Sequence, residues 1–237
     1  MNGGRTSRVL LVLLFPAVLA VGIVLIPVVT NYADHVLASE AVEHTARWFL
    51  GHLLSAVAFG LSIVSSSEVV VHLRSESHEA PSFILPCMAV GAGCYAAGLG
   101  ADGIGPIAVR VGAASPVLFL EESGLWVSGV FVIATLVLGV GLIALVIAAI
   151  HGRMLRGVWR YVAFTSALLF VSIPAVPSGW GLYGEAVAAA TIFVPLAIVT
   201  GCPVQQPVIA LTAVLLPLDC APSCSPAASP LARRIHR

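Results

Sequence analysis

The chain contains no lysine, because all eleven of its basic residues other than histidine are arginines. Retinal and pyridoxal phosphate are attached to proteins through a lysine Schiff base, and a Walker A loop needs its lysine on the phosphates. The sequence therefore excludes a retinal-binding rhodopsin, a pyridoxal-phosphate enzyme and a P-loop ATPase.

Charged residues are also scarce, at 9% of the chain, whereas a typical soluble domain has about 25%. Hydrophobic residues make up 59% of the sequence. A soluble fold of this length would have too few charges to cover its surface. The net charge is zero and no basic cluster exceeds three arginines, so nothing favours nucleic acid as a partner.

The motifs of several enzyme classes are missing as well. The sequence has no HExxH, no GxSxG and no glycine-rich turn in the strand-to-helix context that binds a nucleotide. Residues 98–103 contain three glycines after an apolar stretch, which is typical of a helix stop. Acidic and basic residues are nearly absent from the apolar interiors, which argues against an ion-coupled transporter. These absences favour a non-enzymatic protein without a cofactor.

Six apolar blocks are long enough to cross a bilayer, which takes about 20 residues of helix. They cover residues 9–30, 47–65, 82–100, 124–150, 161–178 and 186–204. The first block resembles a signal peptide, but its apolar run exceeds the roughly 7–15 residues of a signal sequence. We therefore expect an uncleaved first span. Two further apolar stretches, 104–120 and 208–218, are broken or short and are predicted to be interfacial or re-entrant.

The arginines predict how the spans are oriented, since cytoplasmic loops of membrane proteins are enriched in basic residues. With a cytoplasmic N-terminus, only Arg47 and Arg110 fall outside. The other nine lie on the cytoplasmic side: Arg5, Arg8, Arg74, Arg153, Arg156, Arg160, Arg233, Arg234 and Arg237. Six spans with both termini in the cytoplasm satisfy this asymmetry.

Small residues recur at helical spacing in the third span. Ala89, Gly93 and Ala97 are four residues apart, and an adjoining stripe contains Cys87, Gly91, Cys94 and Gly98. Helices in lipid associate through close backbone contact, which small residues permit. We therefore predict that the third span is central and that Ala89, Gly93 and Ala97 pack against neighbouring helices.

The most polar region precedes and enters the second span, where Glu40, His44 and His52 lie. On one continuous helix His44 and His52 would be roughly 12 Å and 80° apart, too far to share a metal ion. A metal or proton site would need Glu121 or Glu122 from the loop before the fourth span. We expect instead a solvated amphipathic loop, with His52 bonded to a neighbouring group.

The sequence predicts an all-α, polytopic transmembrane bundle in residues 1–204 and a cytoplasmic tail in 205–237 that is partly interfacial or disordered. The function that it favours is non-enzymatic binding of a lipid, a small apolar ligand or a protein partner. Two alternatives remain open: a membrane enzyme or a metal or proton site at the outer face, and a small-solute transporter. We expect a bacterial plasma membrane, with the lipid bilayer and another copy or another membrane protein as partners.

The orientation can be tested by cysteine accessibility. Single cysteines at positions 5 and 156, in a background without the native cysteines, should react with an impermeant maleimide only after the cells are opened. A cysteine at position 40 should react in intact cells. Labelling of position 156 from outside would contradict the six-span topology.

Overall fold

The computed structural model describes residues 3–76, 78–112, 114–176 and 178–201, with side chains from residue 6 onward. The helices are α1 (Gly3–Leu25), α2 (His35–Val42), α3 (Thr45–Ser75), α4 (Ile84–Val111), α5 (Pro116–His151), α6 (Val158–Ser172) and α7 (Gly179–Gly201). A short 3-10 turn, Ile173–Ala175, follows α6, and no strand occurs in these ranges. The predicted tail and the predicted interfacial stretch 208–218 lie outside the described residues.

Six of these helices are long and apolar enough to cross a membrane, α6 doing so together with the 3-10 turn. α2 has only eight residues and lies between α1 and α3. The predicted all-helical architecture with six candidate spans is therefore confirmed for the described part of the chain. The side of the membrane on which each terminus lies stays a prediction.

Residues 104–120 do not form a separate segment, and their position relative to the membrane stays a prediction. α4 continues to Val111 and α5 begins at Pro116, so these residues are divided between two long helices. Ser115 caps α5 by accepting a hydrogen bond from the amide of Val117, and proline is well tolerated at the first helical position. The glycines and prolines that suggested a break occur inside or between the helices.

The core centres on aromatic side chains from four helices. The ring of Phe15 on α1 lies 5.9 Å from that of Phe59 on α3 and 5.4 Å from that of Phe193 on α7. Phe170 of α6 completes the group at 6.3 Å from Phe15. These separations are those of edge-to-face and tilted aromatic pairs, which stabilise a core beyond their burial alone.

α1 is joined to α3 by a hydroxyl group that inserts into its backbone ladder. Ser65 donates a hydrogen bond to the carbonyl of Leu11 at 2.9 Å and accepts one from the amide of Phe15 at 3.3 Å. Both groups belong to the turn that precedes Pro16, where the ring of proline disturbs the helix. The serine therefore satisfies backbone groups at the point where α1 is weakest.

The packing face of α4 differs from the one predicted. Ala89, Gly93 and Ala97 are all exposed, and a Cβ atom at Gly93 would meet nothing within 4 Å. The adjoining stripe is the packed one: a Cβ atom at Gly91 would lie 2.5 Å from the backbone nitrogen of Leu138 on α5. Because α4 is apolar on every side, its composition does not distinguish the face in contact with lipid from the face in contact with helices.

The two glycines make a matched test of this correction. Gly91→Ala should lower the thermal stability of the protein by at least about 1 kcal/mol, because its Cβ forces α4 and α5 apart. Gly93→Ala should raise it by up to ~1 kcal/mol, because alanine is the better helix former and meets open space. Thermal unfolding of the two variants in the same detergent measures both effects, and the opposite order of stability would contradict the assigned face.

Candidate functional site

A cavity of about 850 Å³ lies at the end of the bundle where α1 ends and α7 begins. Its lining comes from all the α-helices, α1 to α7, and the 3-10 turn, and most of its side chains are apolar, including Ile23, Phe59, Leu99 and Phe131. Binding sites for small molecules usually measure about 300–1,000 Å³ and have mainly apolar walls with a few polar groups. The cavity has the size and composition of such a site.

The cavity is open along α5. Leu125, Val132 and Leu136 line it and are at the same time 81%, 57% and 59% exposed. All three belong to a helix that is long and apolar enough to span a membrane. The open side therefore presents apolar side chains, which suits contact with lipid chains better than contact with water.

The first polar group of the cavity is a pair formed by His52 and Asp102. His52 is only 4% exposed, and its Nε2 lies 3.2 Å from Oδ2 of Asp102 on α4. Its Nδ1 lies 2.7 Å from the carbonyl oxygen of Trp48. Both ring nitrogens of His52 therefore have a hydrogen-bond partner, one on α4 and one in the preceding turn of α3.

Trp48 adds a second link between the same two helices. Its indole Nε1 donates a hydrogen bond of 3.0 Å to the backbone oxygen of Asp102. In an uninterrupted helix that oxygen would accept from the amide four residues later, but residue 106 is proline and has no N–H. Trp48 therefore satisfies the carbonyl that Pro106 leaves unpaired, and its ring also lies 4.4 Å from the imidazole of His52.

The backbone of α4 comes close enough for these bonds because residue 103 is glycine. A Cβ atom there would lie 2.8 Å from the Cβ of His52. A side chain at this position would push α3 away and break both links to Asp102. The segment 98–103 was predicted to end the helix. It instead continues the helix and supplies Asp102 to the cavity.

Deeper in the cavity, a polar contact joins α4 to α5. The hydroxyl of Tyr95 lies 2.6 Å from Oγ1 of Thr135, and both side chains are buried. The ring of Tyr95 stacks on that of Phe59, with centroids 3.9 Å apart. Tyr95 therefore closes the inner end of the cavity with one aromatic face and satisfies its own hydroxyl.

Glu185 is the second acidic residue inside the bundle. It lines the cavity from α7 and is only 5% exposed. Its carboxyl forms no hydrogen bond with any side chain or backbone group in the part of the chain that the structure describes. A carboxyl group in apolar surroundings without a partner is costly, so such groups in membrane proteins usually belong to functional sites.

The mouth of the cavity contains Tyr32, His35 and Glu121. Burial raises the pKa of the Tyr32 phenol above its ordinary value, and the charge of Asp102 and the nearby Tyr183 add to the rise. The phenol therefore stays protonated at neutral pH and can donate a hydrogen bond. Nδ1 of His35 lies 4.0 Å from Oε1 of Glu121, a half-exposed pair that adds little stability.

The residues proposed for a metal or proton site do not come together. Of the four candidates, His52 and Glu121 line the cavity, whereas Glu40 and His44 are exposed and do not. α2 ends at Val42 and α3 begins at Thr45, so Glu40 and His44 are not on one continuous helix. Within the described ranges, no three His, Cys, Asp or Glu side chains are grouped so as to hold a metal ion.

Two of the polar residues that line the cavity were missed for a specific reason. The predicted spans 161–178 and 186–204 left Glu185 in the connection between them, but α7 begins at Gly179 and buries the glutamate in its second turn. The glycines allow this, because a Cβ atom at Gly179 would lie 2.7 Å from the carbonyl oxygen of Val29. Asp102 was missed in the same way, since glycine was interpreted as a break and not as a close contact.

His52 is already committed to its neighbours, with both ring nitrogens bonded. No hydroxyl or thiol in the described ranges forms a hydrogen bond with it, so it activates no nucleophile in this arrangement. No protein-family model, no curated protein and no solved structure matches this chain. The side chains that line the cavity therefore support the inference of its function.

The pair formed by His52 and Asp102 can be measured by a double-mutant cycle. His52→Gln and Asp102→Asn should show a coupling free energy of unfolding of about 1 kcal/mol, because both variants alter the same buried hydrogen bond. The matched cycle of His52→Gln with Glu121→Gln should be additive within about 0.5 kcal/mol, since these side chains are not bonded. Additivity in the first cycle would show that the bond does not stabilise the bundle.

Proposed function

We propose that this six-span membrane protein is non-enzymatic and binds a small apolar or lipid-like ligand in the cavity between α1, α3, α4, α5 and α7. The observation that carries the proposal is the cavity itself, with its volume of about 850 Å³ and its mainly apolar lining. The wall also carries a small number of polar groups, as in sites that orient a ligand.

The open side of the cavity supports entry from the bilayer. Leu125, Val132 and Leu136 are both exposed and in contact with the cavity space. An apolar ligand dissolved in the membrane reaches such an opening without crossing water. A water-soluble solute, by contrast, would have to pass these apolar side chains.

The arginines support the orientation and location that we propose. Arg153 and Arg156 lie between α5 and α6, and Arg160 lies in the first turn of α6, at the end of the bundle opposite the cavity. The excess of basic residues at that end favours its placement in the cytoplasm. The cavity then belongs to the outer half of the membrane, which we propose is the plasma membrane of a bacterium with both termini of the chain inside the cell.

Two neighbouring positions on α5 test whether the cavity binds a ligand. Val132 lines it and is 57% exposed, whereas Ile133 is 55% exposed and does not line it. With 1-dodecanol as a neutral probe, ligand-induced thermal stabilisation of the purified full chain gives an apparent affinity. Val132→Trp should fill part of the cavity and weaken binding by at least about tenfold.

Ile133→Trp is the control, because it adds the same side chain to the same helix outside the cavity. Its affinity for dodecanol should equal that of the unmodified protein. Equal weakening in both variants, or no stabilisation of the unmodified protein by dodecanol, would contradict the proposed function. Because both variants share the detergent and the probe, partition of the alcohol into micelles affects them alike.

A further inference from the structure

We propose that Glu185 binds a protonated amine, so that the ligand of the cavity is an amphiphile with a cationic nitrogen head and an apolar chain. This inference rests on the proposed function, because it names the class of ligand that the same cavity takes. The acidic side chains that line the cavity, the burial of Glu185 and the apolar lining around it support the inference.

Among the titratable side chains in the lining, carboxyl groups outnumber histidines. The lining includes three carboxyl groups, Asp102, Glu121 and Glu185, and two histidines. No arginine of the described residues lines the cavity, and the chain contains no lysine. The cavity is therefore acidic apart from its histidines.

Each histidine lies beside one of the carboxyl groups. His52 is 3.2 Å from Asp102, and His35 is 4.0 Å from Glu121 at the mouth. Glu185 is the third carboxyl group and has no such neighbour among the described residues. Among the described residues, Glu185 is thus the carboxyl group of the lining that has no histidine beside it, and it is the least exposed of the three.

The position of Glu185 makes an external partner the natural complement. The side chain is only 5% exposed, yet it lines the cavity. A buried carboxylate is stabilised only by a cation or by several donors. An ammonium group supplies both a positive charge and up to three donors, so it can bind Glu185 and still reach a neighbouring acceptor.

The apolar lining of the cavity indicates which kind of group is attached to the amine. Phe59, Leu99 and Phe131 line the space around the polar groups, and the opening along α5 is apolar. A small hydrophilic amine would leave these surfaces in contact with water. An alkyl chain covers them and can leave through the side of α5 into the bilayer, so the fitting ligand is an amphiphilic amine.

The test compares two probes of equal chain length, dodecylamine and 1-dodecanol, on the full chain at neutral pH. The amine is protonated there, as a lysine side chain is. We expect dodecylamine to bind at least about tenfold more tightly than dodecanol, the difference given by one hydrogen bond to a charged group. Ligand-induced thermal stabilisation measures both affinities.

Glu185→Gln should reduce this preference to less than about twofold while leaving dodecanol binding intact. Glu121→Gln is the matched control, because it removes a carboxyl group that lines the same cavity but lies at the exposed mouth beside His35. The control should keep the full preference for the amine. A preference lost in the control and kept in Glu185→Gln would overturn the inference.

The other outcomes separate the two proposals. If neither probe binds, the proposed function fails. If dodecanol binds and dodecylamine binds no more tightly, the cavity is a ligand site but the assignment of Glu185 is wrong. If Glu185→Gln does not fold, Glu185→Asp takes its place in the test. Aspartate keeps the charge on a side chain that is one methylene group shorter. An undiminished preference for the amine in that variant also overturns the inference.

Discussion

The contact between α3 and α4 at Trp48, His52 and Asp102 determines the geometry of the whole cavity. Pro106 removes one backbone hydrogen bond from α4, and in a membrane the freed carbonyl must find another donor. Trp48 supplies it, at 3.0 Å, and thereby places Asp102 beside His52. Gly103 permits the approach because a side chain there would meet His52. A defect in one helix is thus converted into a fixed polar corner between two helices.

That corner divides the cavity into parts with different chemistry. His52 is hydrogen-bonded to Asp102, so both polar groups of the corner have a partner within the bundle. Glu185, on α7, faces the same space with no partner in the described ranges. The remaining walls are apolar and the α5 side is open. A ligand with a cationic head and an alkyl chain complements all of these features together.

The architecture was more predictable from the sequence than the site was. Six apolar blocks indicate six spanning helices, because the length needed to cross a bilayer is fixed by helical rise. The ends of the helices and their packing faces were less predictable from the sequence. Residues 98–103 were interpreted as a helix stop and residues 179–185 were left between two spans, although Gly103 and Gly179 allow close helix contact, and this hid Asp102 and Glu185. Gly93 and Gly91 are equally small, and only the position of α5 shows which one is packed.

An experimental structure of the full chain in lipid, determined with dodecylamine present, tests the central claim most directly. The account predicts ligand density in the cavity, with the nitrogen about 3 Å from the carboxyl oxygens of Glu185 and the chain directed toward Val132 on α5. A cavity without ligand, or an amine bound only at the outer surface of the bundle, would contradict the account.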